Sequence, residues 1–249
     1  IKIDHVALAS NDIEKDAKLL KKLNYQQIFA NINMPNPGIK KSMLTSYSED
    51  HDAALLSSSG NYAVELVNHK STTDKDGNMT AIFENLPEEC LDKSVVKGVE
   101  FGPVMLKGTT VPLNVIIRTC GGKFRFNSFL FNTSDIERRR DFWKCCGFNI
   151  NEKNDTTLKF RDAFSGNDFF IQLLEDKTSN KNTHLDDKGI NCLAVISNSV
   201  RKERETFLDK GFEATPIDGV RINGKDLEIF FARGENGEIA EVIGLRKDR

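Results

Sequence analysis

The chain has 249 residues, of which 39% are hydrophobic and 29% are charged, and 35 basic against 37 acidic side chains give a net charge of −2. This composition is typical of a soluble globular protein with one large or two small domains, not of a disordered chain. The near-neutral charge argues against a protein that neutralises nucleic-acid phosphates. The longest hydrophobic run, Cys192 to Ile196, is far shorter than the roughly 18–20 residues that a membrane span needs.

The five cysteines are an odd number and contain no Cys-x-x-Cys pair. We therefore expect reduced thiols, because disulfide frameworks belong to oxidising compartments. The N-terminal residues show no basic segment followed by an apolar one, which is the pattern of a secretory signal. Both features predict a cytoplasmic protein.

The first predicted elements form a unit over residues 1–69. An apolar strand at Ile3–Ala9 leads to a polar step, Asn11-Asp12, that can cap a helix. Apolar residues then recur about every 3.6 positions over Ile13–Leu23, which predicts an amphipathic helix. Extended segments follow, and the unit closes with a strand at Tyr62–Asn68.

The same pattern of strand, polar cap, helix and closing strand returns twice, over residues 124–176 and 188–249. In all three copies, Asn or Gly follows the helix and an aromatic residue comes next, as expected for a helix that ends in the left-handed conformation. These pairs are Asn24-Tyr25, Gly147-Phe148 and Gly211-Phe212. Three occurrences predict a chain built from repeated β-α-β-β-β units.

Two segments fit the repeat poorly. Residues 70–123 contain a predicted helix near Met79–Leu91 and two extended stretches, 98–106 and 110–119, and they are either a degenerate fourth unit or an elaboration. The polar run 176–188 is typical of a linker between the second and third complete units. The second helix has a capping-box pattern, Ser134 with Glu137.

The sequence resembles the vicinal oxygen chelate superfamily, which includes glyoxalases, bleomycin-resistance proteins and ring-cleaving dioxygenases. The residues that carry the resemblance are the first strand, Ile3-Asp4-His5-Val6-Ala7-Leu8, the three helix ends, and the closing segment from Glu235 to Val242. The resemblance covers about three quarters of the chain. It implies an α+β fold in which repeated βαβββ units form curved, open, barrel-like mixed sheets with helices outside.

In that superfamily, a metal is bound by residues on the first and last strands of paired units. By position, the resemblance gives His5 and Glu65 in the first unit, Ser128 and Gln172 in the second, and Cys192 and Glu241 in the third. It therefore implies His5 and Glu65 as ligands of a divalent ion (Zn²⁺, Mn²⁺, Ni²⁺ or Fe²⁺) and Glu241 as third ligand or catalytic base. Gln172, Ser128 and Cys192 are candidates for substrate binding. The alternative for His5 and Glu65 is a hydrogen-bonded core histidine and a solvated strand residue.

The resemblance implies an enzyme that acts on a small organic molecule as an isomerase, lyase or dioxygenase. An iron dioxygenase with two histidines and one carboxylate is disfavoured, because neither Ser128 nor Cys192 supplies a second first-strand histidine. Two alternatives remain open: a metal-free protein that binds a small molecule, and a catalytically silent scaffold. Units can pair within one chain or across a homodimer, and the sequence does not choose between these arrangements.

The remaining candidate side chains are expected to be structural. His51 lies in a polar turn and His184 in the linker, so both are predicted to be exposed. His69 is four residues beyond Glu65, about 13 Å along an extended strand, too far to bind the same ion. The triplet Arg138-Arg139-Arg140 is predicted to form a solvated, salt-bridged helix face.

Overall fold

A computed structural model describes residues 1–71, 73, 75–90, 102–104, 110, 113–118, 121–163, 166–177 and 182–246. No helix among these residues is long and apolar enough to cross a lipid bilayer. The elements are β1 (Lys2–Ala9), α1 (Ile13–Lys22), β2 (Gln26–Pro35), a 3₁₀ helix (Gly38–Ser42), β3 (Asp50–Ser57), β4 (Ala63–Asn68), β5 (Thr80–Glu84), a 3₁₀ turn (Glu88–Cys90), β6 (Gly102–Val104), β7 (Leu113–Arg118), β8 (Arg125–Thr133), α2 (Ile136–Cys145), β9 (Asn149–Asn151), β10 (Asn154–Arg161), β11 (Asp168–Glu175), β12 (Ile190–Ile196), α3 (Val200–Asp209), β13 (Glu213–Ala214), β14 (Asp218–Ile222), β15 (Lys225–Arg233) and β16 (Ile239–Leu245).

The strands form two mixed sheets, and the fold is α+β as predicted. The nine-stranded sheet has the order β13-β15-β16-β12-β1-β4-β3-β2, with β14 paired to β15, and it curls into a half-barrel. The seven-stranded sheet has the order β6-β7-β5-β8-β11-β10-β9. The first and third predicted units thus share one sheet within a single chain, and the second unit shares the other sheet with residues 70–123.

Both sheets have the same arrangement at their centres. In the nine-stranded sheet, β1 pairs antiparallel with β12, and these two strands pair in parallel with β4 and β16 respectively. In the other sheet, β5 pairs antiparallel with β8, and these pair in parallel with β7 and β11. Because β5 and β7 occupy the places of a first and a last strand, we propose that residues 70–123 are a degenerate fourth unit.

The prediction of a helix at Met79–Leu91 is wrong for the described residues. Thr80–Glu84 is strand β5, and a single 3₁₀ turn follows at Glu88–Cys90. Ala81, Ile82 and Phe83 are all at most 5% exposed, so the strand is covered on both faces and lacks the alternation that marks a half-buried strand. Parts of the predicted stretches 98–106 and 110–119 form β6 and β7, and other parts lie outside the described residues.

The three helices end in the predicted manner. Asn24, Gly147 and Gly211 have φ values of 64°, 89° and 76°. The backbone N–H of the next residue, which is Tyr25, Phe148 or Phe212, donates to a carbonyl five residues earlier, and each of these aromatic side chains is buried. The repeated ends are therefore Schellman motifs with a hydrophobic anchor.

The N-terminal caps of the first two helices are aspartates, and one of them differs from the predicted cap. Asp12 caps α1, and its carboxylate accepts a hydrogen bond from the Lys15 N–H. The capping box predicted at Ser134 is wrong, because the N-cap of α2 is Asp135, which accepts from the Arg138 N–H. The Ser134 hydroxyl instead lies 3.1 Å from the Asn236 side-chain oxygen.

The predicted solvated arginine face is wrong for Arg139 and Arg140, which are buried, whereas Arg138 forms a partly exposed ion pair with Glu235. Arg139 and Glu238 form an ion pair of 2.6 Å with side chains that are 0% and 1% exposed. Arg140 is 8% exposed and pairs with Glu137. Arg139 projects from α2 of the second unit onto the β15–β16 turn of the third, so the pair joins units that belong to different sheets.

Candidate metal centre

The register of the nine-stranded sheet brings three candidate side chains to one place. On β1, Ala7 is paired with Glu65 of β4, and His5 is paired with Ala194 of β12. Ala194 is paired in turn with Glu241 of β16. His5, Glu65 and Glu241 therefore lie on the same face of the sheet, and the intervening alanines leave room for them.

The three side chains converge on one point. The Nε2 atom of His5 lies 3.3 Å from a carboxylate oxygen of Glu65 and 3.9 Å from one of Glu241. One ligand atom from each residue lies within 4.8 Å of the others. The side chains are 5%, 16% and 13% exposed, so the cluster is largely shielded from water.

Asp4 fixes the orientation of the His5 ring. Its carboxylate lies 2.8 Å from Nδ1 of His5, which leaves Nε2 directed at the two glutamates. Nε2 is buried and makes no well-aligned hydrogen bond within the described residues. A histidine whose far nitrogen is held by a carboxylate, and whose near nitrogen is directed at two further carboxylates, has the arrangement of a metal ligand.

The electrostatics of the cluster favour the binding of a proton or a cation. Burial opposes the charge of His5, but the carboxylates of Glu65 and Asp4 outweigh it and raise the pKa of His5 well above its usual range. Burial likewise opposes the charge of Glu65, and His5 outweighs it and lowers the pKa of Glu65. Burial dominates at Glu241 and raises its pKa. Two buried carboxylates beside one imidazole thus call for a proton or a cation.

The cluster opens into a cleft of about 260 Å³. Glu65 and Glu241 form part of its wall, together with Lys40 and His51, and the other lining residues are Met34, Pro35, Asn36, Pro37, Gly219, Val220, Arg221, Ile222 and Ile229. A small molecule that entered this cleft would therefore meet the two carboxylates directly.

His51 does not have the predicted environment, whereas His69 lies outside the convergent group, as its distance from Glu65 along the strand predicted. His51 is not exposed: it lies on β3, is 5% exposed and faces the cleft. Its ring stacks on that of His69, which is 4% exposed, with 6.3 Å between the ring centroids. Burial, followed by the charge of Lys40, lowers the pKa of His51 to about 4 and lowers that of His69 as well.

Residues 183–188 of the predicted linker are packed rather than exposed, whereas Lys177 and Asn182 of the same segment are exposed. Asp186 is 0% exposed and accepts hydrogen bonds from the backbone N–H groups of Thr45 and Ser46. His184 has a side chain that is only 18% exposed, so the prediction of a surface position is wrong. The segment holds the loop that follows the 3₁₀ helix at Gly38–Ser42.

Lys40 was not singled out by the sequence analysis, although it is a wall residue of the cleft. It is 9% exposed and its ammonium lies 5.8 Å from the ring centroid of Phe231. The adjacent Lys41 is exposed and lies over Tyr47 instead. Nothing in the Lys40-Lys41 pair indicates which side chain turns inward, because this depends on how the 3₁₀ helix packs.

The other three candidates lie elsewhere. Cys192 is on β12 opposite Ala7, where it is the counterpart of His5, but it is not part of the convergent group. Its side chain is buried, and burial raises the pKa of its thiol. Ser128 and Gln172 lie on β8 and β11 of the seven-stranded sheet, so the structure does not bring them together with His5.

The seven-stranded sheet has no equivalent ligand set at the matching positions. In this sheet, Thr80 is paired with Leu130, and Leu130 is paired in turn with Gln172. Ile82 is paired with Ile116 on one side and with Ser128 on the other. The counterparts of His5, Glu65, Cys192 and Glu241 are thus Thr80, Ile116, Ser128 and Gln172. The Gln172 side-chain oxygen accepts a hydrogen bond of 3.4 Å from Arg118. These four residues include no imidazole or carboxylate.

Comparison with known proteins supports the fold. No protein-family model matches the chain, and no curated protein matches it significantly. Glyoxalase I from Zea mays has a TM-score of 0.54 at 13% identity, with 98% of this chain and 92% of that chain covered. A variant of that glyoxalase I gives 0.58 at 13% identity, with 98% and 93% covered. A protein from Bacillus subtilis provisionally described as a dioxygenase gives 0.57 at 11% identity, with 99% and 86% covered.

These similarities show that the chain has the fold of glyoxalase I, as the resemblance implied. At such low identities they do not assign a reaction, because members of one fold perform different chemistry.

Proposed function

We propose that this chain is a metal-dependent enzyme of the vicinal oxygen chelate type that acts on a small organic molecule. His5, Glu65 and Glu241 would hold a divalent ion at the floor of the cleft. The observation that carries the proposal is the convergence of these three side chains around the buried Nε2 atom of His5.

The donor set fits such an ion. One imidazole nitrogen and two carboxylate oxygens suit Zn²⁺, Mn²⁺, Ni²⁺ or Fe²⁺, and a set of three protein ligands leaves positions open for substrate. An ion would also compensate the two buried carboxylates. The set contains one histidine rather than two, so an iron dioxygenase with two histidines and one carboxylate remains disfavoured.

A bound divalent ion would polarise adjacent oxygen atoms of the substrate as a Lewis acid. The chain itself supplies the proton transfer. Glu241 lies in the wall of the cleft, where a carboxylate oxygen that does not bind the ion can act as a general base. Its carboxylate oxygen can take a proton from a carbon next to a substrate carbonyl and return it to a neighbouring atom. Such a transfer of a proton between neighbouring atoms is the chemistry of an isomerase or a lyase.

A metal-free binding protein is the second candidate, and one observation favours it. His5 and Glu65 can compensate each other without an ion, as a protonated imidazole beside a carboxylate 3.3 Å away. The cleft would then receive a small molecule without performing chemistry on it. The two candidates differ in whether the cluster retains an ion after purification.

Elemental analysis of the purified protein tests the proposal. After chelation and reloading with Zn²⁺, Mn²⁺, Ni²⁺ or Fe²⁺, we expect about one ion per chain, because one ligand set is present in the nine-stranded sheet. The double variant His5→Ala, Glu65→Ala should lose the ion. The matched control is Ser128→Ala, Gln172→Ala, which changes the corresponding positions of the seven-stranded sheet and should retain it.

The result separates the two candidates. Metal bound by the wild type and the control, but not by the His5 and Glu65 variant, supports the enzyme. Metal content at background for every ion tested overturns the metal-dependent enzyme and favours the binding protein.

A further inference from the structure

The wall of the cleft contains a positive charge that the proposed metal site does not use. Lys40 belongs to the 3₁₀ helix Gly38–Ser42, between β2 and β3. Ile39 and Met43 pack with Phe231 and Cys192 in a hydrophobic cluster. This packing places the 3₁₀ helix against the sheet. The side chain of Lys40 is thereby directed toward the cleft rather than toward solvent.

No carboxylate of the described residues forms an ion pair with the Lys40 ammonium, although Glu65 and Glu241 share the cleft wall with it. Its observed neighbour is the Phe231 ring, on the strand position paired with Glu241. An aromatic ring favours a nearby cation, but it does not supply the hydrogen-bond acceptors that an ammonium needs when it leaves water. The Lys40 ammonium therefore lines the cleft with no carboxylate of the described residues at ion-pair distance.

The charges of the cleft leave Lys40 in excess when an ion is bound. A divalent cation with one neutral imidazole and two carboxylates has no net charge. His51 and His69 are neutral at physiological pH, since burial and Lys40 disfavour their protonation. The carboxylate of Asp4 lies behind the His5 ring, at Nδ1, rather than in the cleft wall. Arg221 also lines the cleft, but it is largely exposed and lies 3.8 Å from the carboxylate of Asp226.

We propose that Lys40 binds the carboxylate of an anionic substrate, and that the substrate is a small 2-hydroxy or 2-oxo acid. This inference rests on the proposed function, because the hydroxyl or keto oxygen would face the metal centre while the carboxylate meets the ammonium. Lys40, Glu65 and Glu241 line the same cleft, so a small molecule with a carboxylate next to an oxygen-bearing carbon can contact both the ammonium and the metal centre at once. The cleft volume of about 260 Å³ suits a molecule of this size.

Glycolate and its neutral analogue glycolamide test the inference, because they differ chiefly in charge. With Mn²⁺-loaded protein, titration calorimetry should show that glycolate binds at least about tenfold more tightly than glycolamide, as expected for a charge-assisted contact. Lys40→Met should reduce the affinity for glycolate by about the same factor and leave that for glycolamide unchanged. Lys40→Arg should keep most of the preference. Inorganic phosphate, measured in parallel, distinguishes a carboxylate site from a general oxyanion site.

The control is Lys41→Met, which removes the neighbouring exposed cation and should bind glycolate as the wild type does. The Mn²⁺ content of each variant reports whether the centre is intact. Mn²⁺ bound at the wild-type level together with equal affinities for glycolate and glycolamide overturns the inference and leaves the metal site standing. Tighter binding of phosphate than of glycolate overturns the assignment to a carboxylate. Failure of the wild type to bind any ion overturns the proposed function and, with it, the inference.

Discussion

The Nε2 atom of His5 lies 3.9 Å from a carboxylate oxygen of Glu241, although the two residues are near opposite ends of the chain. The antiparallel pairing of β1 with β12 and the parallel pairing of β12 with β16 bring them together. The same pairings place Glu65 in the cluster from the other side. Metal affinity should therefore depend on the pairing of the first unit with the third, and not on the second unit.

The substitution Asp4→Asn should weaken metal binding without abolishing it. Asp4 holds Nδ1 of His5 at 2.8 Å, and loss of its charge lowers the basicity of Nε2. Comparable changes to the partner of a histidine ligand reduce metal affinity by roughly 10–100-fold. A competition titration against a chelator of known affinity measures the effect. Asp4→Ala, which also removes the hydrogen bond, should bind more weakly still. Wild-type affinity in both variants would show that Asp4 does not orient a ligand.

The substitution Cys192→Ala should leave metal content unchanged. Cys192 occupies the position equivalent to His5, but it lies outside the convergent group and burial disfavours its thiolate form. Because a thiol binds metal as the thiolate, we expect no contribution to the site. Loss of the ion in Cys192→Ala, with the fold retained by circular dichroism, would instead identify the sulfur as a ligand.

The substitution Glu238→Gln should destabilise the chain strongly. It leaves the guanidinium of Arg139 buried without its anionic partner, and breaking a buried ion pair in this way costs about 3–5 kcal/mol. Urea unfolding followed by circular dichroism measures the change. Glu14→Gln is the matched control, since Glu14 is 85% exposed and its pair with Lys18 is solvated. We expect no measurable change in the control, and an equally small effect of Glu238→Gln would contradict the structural role of the pair.

Acidification should destabilise the metal-free protein between about pH 6.5 and pH 4, because His51 and His69 are held neutral in the folded state. The groups that face them are Lys40, Glu65 and, at His51, Asp52. The folded-state pKa of each histidine is depressed, so below the unfolded value the unfolded chain binds more protons and becomes favoured. Each histidine adds up to about 1.4 kcal/mol per pH unit to the fall in the free energy of unfolding. Glu241 offsets part of this fall, because burial raises its pKa to about 7 and the folded chain therefore binds a proton there that the unfolded chain does not.

Urea unfolding of chelator-treated protein at several pH values in this window measures the slope. His51→Gln should reduce it, because the variant lacks one of the two titrating groups. A slope identical to that of the wild type would show that His51 is protonated, or accessible to protons, in the folded chain.

The parts of the fold that the sequence predicts are those governed by local interactions. Asn24 or Gly at the helix ends, followed by a buried aromatic residue, specifies a Schellman motif from a few adjacent residues. The resemblance to the vicinal oxygen chelate superfamily, carried over by position, singles out His5 on a first strand and Glu65 and Glu241 on last strands. Their convergence in one cluster nevertheless requires the β1–β12 pairing, which nothing local encodes.

The features that the sequence did not predict depend on long-range packing. Arg139 has the same local sequence signals as an exposed helix residue and is buried only because α2 lies against the β15–β16 turn. His51 follows acidic residues typical of a turn, yet it lies in a strand that pairs with β2. Lys40 turns inward because hydrophobic neighbours on its 3₁₀ helix pack into the sheet.

Anomalous diffraction from crystals grown with Zn²⁺ tests the central claim most directly. We expect one strong anomalous peak in the cleft, within about 2.0–2.2 Å of Nε2 of His5 and of a carboxylate oxygen from both Glu65 and Glu241. The corresponding region of the seven-stranded sheet should show none. A peak bound by other residues, or an empty centre with His5 paired directly to Glu65, would contradict the assignment of these three residues as a metal site.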